Sequence, residues 1–104
     1  MNEKELYDQA REVLPGGISR NIIFRKPHPH YAAKACGCRI TDIDGVSRID
    51  FANNMASLIH GHSHPAIVEA VTSQIRNGTA FTLGTEAEVR LARHLCGRSS
   101  SFEK

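Results

Sequence analysis

Over the first fourteen residues the apolar positions recur at helical spacing. Leu6, Ala10, Val13 and Leu14 share one face of a helix predicted over 3–14, with polar residues opposite. Asn2 can cap its start with Glu5 three positions on, and Pro15-Gly16-Gly17 ends it. Periodicity is lost over 15–30, where Pro27 and Pro29 punctuate a mixed polar and apolar stretch, so a loop is expected. From 31 the period changes to two. Cys38, Ile40 and Asp42 alternate with Arg39 and Thr41, Asp44-Gly45 supplies a turn, and Val46 to Phe51 runs back. With Tyr31 to Ala35 as a further strand, residues 31–51 predict a small three-stranded antiparallel sheet.

Helical spacing returns at Pro65. Ile67, Val71 and Ile75, with Val68 beside them, give a helix over 65–76 that proline opens and Asn77-Gly78 closes. Another helix over 86–96 follows Thr85-Glu86-Ala87-Glu88, where Thr85 and Glu88 can satisfy each other's backbone donors. Leu91, Ala92, Leu95 and Cys96 form its apolar face. The pattern is α+β: an N-terminal helix, a three-stranded antiparallel sheet and two further helices.

Length and composition narrow the function classes. A chain of 104 residues has room for one domain, and with no Trp its core must rest on Ile, Val, Leu and Ala. The net charge is +2, and Lys and Arg are scattered singly, so no nucleic-acid surface is expected. No apolar run reaches the length of a membrane span, and the N-terminus has no signal-peptide profile. The three cysteines, two of them in Cys36-Gly37-Cys38, fit neither a disulfide framework nor a C-x-x-C motif. A cytoplasmic, reducing setting is the expectation.

His60, His62 and His64 stand at two-residue steps. On a regular strand they would share a face and could gather zinc, with His28, His30, Cys36 and Cys38 in reserve. A small His-rich metal-binding module is therefore one reading. The other is plainer: Gly61 breaks the series with a tight turn, and His64-Pro65 opens the following helix.

Four segments in order carry a resemblance: LPGGISR at 14–20, GCRITDIDGVSRIDF at 37–51, HGHSHPAI at 60–67 and GTEAEVRLA at 84–92. Together they resemble the N-terminal part of class III pyridoxal-phosphate (PLP) aminotransferases, in particular the glutamate-1-semialdehyde aminomutase and β-amino-acid aminotransferase branch. The resemblance implies a segment of the small domain of a fold-type I PLP enzyme, at the substrate entrance, with the large PLP-binding domain absent from this chain. It further implies an intact parent that is a homodimer and moves an amino group between amino acid and keto acid, or within one small substrate. The histidine segment is then the entry to a helix, and no metal ligand is assigned.

In this branch the place of Ser19 and Arg20 is where the substrate carboxylate is bound. A guanidinium fork suits a carboxylate, and Gly16-Gly17 would let the backbone come close. Met55 falls where relatives carry an aromatic residue lining the pocket, and a thioether there would make a softer wall; ordinary core packing is the other reading of this residue. No catalytic or cofactor-binding residue is assigned. Lys4, Lys26, Lys34 and Lys104 do not match the family's aldimine lysine, which comes further along the chain, and GTEA at 84–87 is better explained as a helix cap than as a phosphate cup. The expectation is the front end of an enzyme, inactive and marginally stable by itself; a non-catalytic truncated relic is the remaining alternative.

Overall fold

The computed structural model describes residues 1–102. In chain order it contains α1 (Glu3–Val13), β1 (Ala32–Cys36), β2 (Arg39–Asp42), β3 (Ser47–Ile49), α2 (Asn53–Ala56), α3 (Pro65–Ile75) and α4 (Glu86–Cys96). Short 3-10 turns occupy Pro15–Gly17 and Asn21–Ile23 within the loop that links α1 to the sheet. The chain divides into two compact units, Met1–Val68 and the part from Glu69 onward.

Helix α1 starts as its sequence predicts. The Asn2 side chain accepts from the Glu5 N–H, and the Glu5 carboxylate accepts from the Asn2 N–H, at 2.9 Å each. Leu14 has already turned to extended backbone and donates its N–H to the Ala10 carbonyl, so the helix ends at Val13. A proline at 15 disfavours helical geometry at the residue before it. Of the predicted apolar face, Ala10 is buried and Leu6 half-buried, while Val13 and Leu14 stay exposed.

Glu3, on the polar side of that pattern, is buried. Its carboxylate accepts from the Tyr31 N–H at 3.0 Å and from His30 Nδ1 at 2.9 Å, and its own N–H donates to Asp44 Oδ1. A buried carboxylate is tolerable only with such partners. These bonds tie the first turn of α1 to the start of the sheet and to the β2–β3 turn.

The sheet has the order β1-β2-β3, antiparallel throughout. Ala35 faces Ile40 and Cys36 faces Arg39, with an irregularity between Ala32 and Lys34; on the other edge Ile40 faces Arg48. Gly45 makes the turn at φ +86°, and the Asp42 carboxylate closes it by accepting from the Val46 N–H at 2.8 Å and pairing with Arg48. Strand β3 ends at Ile49, although the Asp50 N–H still reaches the Cys38 carbonyl. Beyond the sheet, Gly37 and His62 exchange both backbone hydrogen bonds, at 2.8 and 2.9 Å. That bridge carries the chain from the β1–β2 turn to the start of α3.

Helix α3 begins at Pro65 as predicted and ends at Ile75, one residue early, with Gly78 at φ +105° beyond it. Helix α4 spans the predicted residues and has its capping box, the Thr85 N–H donating to Glu88 Oε2 at 2.7 Å. Both apolar faces remain about half open: Ile67, Val71 and Ile75 on α3, Leu91 and Leu95 on α4. No helix among the described residues is long and apolar enough to cross a membrane.

Candidate functional site: a loop arginine and a left-handed turn

The loop after α1 is held before it reaches Ser19 and Arg20. Gly17 is buried at φ +72°, and a Cβ there would lie 2.6 Å from the Tyr7 ring. Its carbonyl accepts from Tyr31 Oη at 2.7 Å. Loss of hydration raises the Tyr31 pKa above the ordinary phenol value, so the hydroxyl keeps its proton and remains a donor. The close approach that Gly17 permits is thus to α1. It fixes the loop from which Ser19 and Arg20, both exposed, project.

Arg20 Nη1 donates to Asn54 Oδ1 at 3.0 Å across 34 positions of sequence. Among the described residues the guanidinium has no other partner and no carboxylate paired with it. Asn54 lies in α2, which is a single left-handed turn: Asn53, Asn54, Met55 and Ala56 have φ of +47°, +48°, +61° and +63°. The turn is a true i to i−4 one, since the Ala56 and Ser57 N–H groups donate to the Ala52 and Asn53 carbonyls at 3.1 Å. L-residues resist this geometry by about 1 kcal/mol or more each, Asn least among those with a side chain.

Side chains hold the turn in place. Asp50 Oδ1 accepts from the Ala52 and Asn53 N–H groups at 3.0 and 2.9 Å, and Asn53 Nδ2 donates to the Leu58 carbonyl at 2.9 Å. Asn54 Nδ2 donates to Ser57 Oγ, whose own proton goes to the Asn54 carbonyl. Asp50 Oδ2 in turn accepts from His62 Nε2 at 2.8 Å. The His62 hydrogen bond, assisted by those from Asn53 and Ala52, lowers the Asp50 pKa below the ordinary aspartate value and keeps it ionised. Met55, at the middle of the turn, is 74% exposed. The structure therefore brings Arg20 against the turn that carries Met55, with Ser19 on the same loop.

The three histidines do separate jobs. His62 binds Asp50; the His60 and His64 rings lie 5.3 Å apart; and His64 Nδ1 is buried with no hydrogen-bond partner among the described residues. Among the described residues, one group of ligand atoms lies within 4.8 Å of one another, and it is Glu3, His30 and Asp42. Its carboxylates are already engaged, Glu3 by His30 and Tyr31 and Asp42 by Arg48 and Val46. Gly61 explains the spacing of the histidines: at φ +75°, a Cβ there would meet the Gly37 carbonyl oxygen at 2.8 Å.

An amine that condenses with a cofactor aldehyde must be available in neutral form, usually through desolvation or a neighbouring cation. The described lysines do not fit. Lys4 is exposed and bound to Asp8 at 2.8 Å, a contact that raises its pKa; Lys26 and Lys34 are exposed. Lys104 lies outside the described residues. Thr85 and Glu88 are occupied with each other, so GTEA opens α4 as its cap.

Comparison with known proteins now places this arrangement. It superposes on a transaminase with PLP bound at a TM-score of 0.92 and 45% identity, covering 100% of this chain and 25% of the other. A β-phenylalanine aminotransferase from Variovorax paradoxus matches at a TM-score of 0.89 and 30% identity, over 98% of this chain and 24% of that one. The fold is that of the front segment of a transaminase. The sequence profile of the class-III aminotransferases matches residues 24–101, and the chain belongs to that family. A glutamate-1-semialdehyde 2,1-aminomutase from Methanothermobacter thermautotrophicus is 43% identical over 98 residues, which are 94% of this chain and 23% of the relative. The chain thus spans about a quarter of the length of the relatives it matches.

Two participants escaped the sequence reading. Asn54 lies between the recognisable motifs and Asp50 and His62 lie within two of them, but nothing local marks these residues as partners of residues elsewhere. The Asn53-Asn54 pair was the available signal, since asparagine is the non-glycine residue that best tolerates left-handed backbone.

Proposed function

We propose that this chain is the substrate-side segment of a PLP-dependent class III aminotransferase or aminomutase, in which Arg20 takes the substrate carboxylate. Ser19 stands beside it on the loop, and Met55 forms a flexible apolar wall. PLP supplies the electron sink of such enzymes when bound. The described lysines here do not suit its aldehyde, so its covalent anchor belongs to a part of the protein beyond this segment. Residues present here bind and orient. The reaction class is amino-group transfer between an amino acid and a keto acid or aldehyde, and the working assembly is a homodimer.

The observation that carries this reading is Arg20. It is a solvent-reachable cation, held by a neutral amide, beside the turn that presents Met55. A guanidinium in that state can accept a carboxylate on two parallel N–H bonds.

A chimera tests it. Residues 1–102 replace the matching segment of the 45%-identical transaminase, and the product is assayed for amino transfer. The chimera is expected to be active, and Arg20→Ala is expected to lower kcat/KM about 10- to 100-fold, the worth of a charge-assisted hydrogen bond. The 104-residue chain alone, incubated with PLP and reduced with borohydride, is expected to give no phosphopyridoxyl adduct beyond that of a surface lysine. An active chimera indifferent to Arg20→Ala would remove Arg20 from the reading.

A further inference from the structure

We infer that Asn54 is the positioning residue for Arg20, and that the left-handed turn exists to present its amide oxygen. This rests on the reading of Arg20 as the carboxylate grip. A guanidinium has five N–H donors. One, on Nη1, is taken by Asn54 Oδ1 at 3.0 Å. The edge formed by Nε and Nη2 has no acceptor among the described residues, and that edge can meet a carboxylate with two parallel bonds.

The chemistry of the holder matters. A carboxylate at position 54 would orient the guanidinium equally well, but it would also neutralise it, and an incoming anion would have to displace a formed ion pair. An amide oxygen orients without consuming the charge. The direction of the amide is fixed from its other end: Nδ2 donates to Ser57 Oγ at 2.9 Å, and that hydroxyl's proton goes to the Asn54 carbonyl at 2.8 Å. With Oγ already committed as a donor, only Nδ2 can face it, so Oδ1 must face Arg20.

The backbone supports the same conclusion. Four consecutive residues with side chains in left-handed geometry are costly, and such strain persists only where surrounding bonds impose it. Here Asp50 imposes it at one end and Ser57 at the other. The return is an amide aimed at a loop residue 34 positions earlier in the sequence.

The test uses the chimera with the 45%-identical transaminase, in which these residues are packed within a whole enzyme, and glutarate as the probe, followed at the Arg20 Nε–Hε resonance by NMR. With position 54 unaltered the resonance is expected to move saturably. Asn54→Asp is expected to weaken glutarate binding about fivefold, the size of one exposed charge pair. Asn54→Gly accepts the left-handed backbone and removes the side chain, amide and Ser57 bond together. It is expected to weaken binding about threefold, to increase Nε–Hε mobility in the heteronuclear NOE, and to leave Tm unchanged or higher. A purely structural Asn54 would instead lower Tm and leave the Arg20 resonance as it was. If the unaltered chimera binds glutarate at Arg20 and both variants bind it equally well, the positioning role is refuted while the grip stands. If Arg20 never responds to glutarate, the grip itself fails, and the role of Asn54 with it.

Discussion

Gly61 shows how one residue can fix the path of a loop. Its left-handed φ and the 2.8 Å approach of the Gly37 carbonyl leave no space for a methyl group. Gly61→Ala therefore has to break or distort the Gly37–His62 backbone pair, which joins the β1–β2 turn to the entry of α3. We expect a loss of roughly 2 kcal/mol, read in a urea melt; an unchanged midpoint would show that the pair does not hold the loop. The need for glycine here was legible in the sequence, because three imidazoles interrupted by glycine and followed by proline read as a turn. The partner of Arg20 was not. Two adjacent asparagines suggest left-handed backbone, but nothing in Asn53-Asn54 says that the second faces an arginine in another loop.

Among elements, the left-handed turn α2 depends on an ionised Asp50. Hydrogen bonding to His62 lowers its pKa, and hydrogen bonding to Arg48 lowers that of Asp42 in the β2–β3 turn. For a carboxylate depressed on folding, the stabilisation is complete above the unfolded value, about 3.9, and is lost as pH falls through the lower folded value. The chain should therefore be indifferent to pH between about 5 and 7 as far as these two groups are concerned, and weaken progressively below about 4. Asp50→Asn should be less stable at neutral pH and show a flatter acid limb in circular dichroism; an acid limb as steep as that of the parent would detach Asp50 from it. Helix limits were largely readable, since both capping boxes and the Pro65 start are local chemistry. Strand β3 was read too long because Asp50 looks like a strand residue by alternation, whereas its carboxylate caps the next turn. The burial of Glu3 against Tyr31 and His30 is not legible from helical periodicity, which cannot foresee a carboxylate's partners in a distant strand.

For the molecule as a whole, the decisive quantity is apolar surface left open. Phe51 and Ile59 are 91% and 88% exposed, and Leu83 is 79% exposed. These side chains, with the half-open faces of α3 and α4, form apolar surface that needs covering. Large open apolar area marks contact surface. We expect the isolated chain to bind anilinonaphthalene sulfonate, to melt broadly and to self-associate in sedimentation, and the chimera to lose all three properties. A sharp melt without dye binding would show that the segment is self-sufficient. The sequence displayed the amphipathic faces of α3 and α4 clearly, because their periodicity is local.

The turn at 53–56 has one further consequence, for chemical synthesis. Its backbone occupies the mirror image of the ordinary helical well. A ligated chain carrying D-alanine at position 56 would place that residue in its own preferred basin, with the methyl group no longer pressed against the following carbonyl. Inverting a stereocentre ordinarily wrecks a helix; at Ala56 it should tighten the fold and leave the amide of Asn54 still turned toward Arg20.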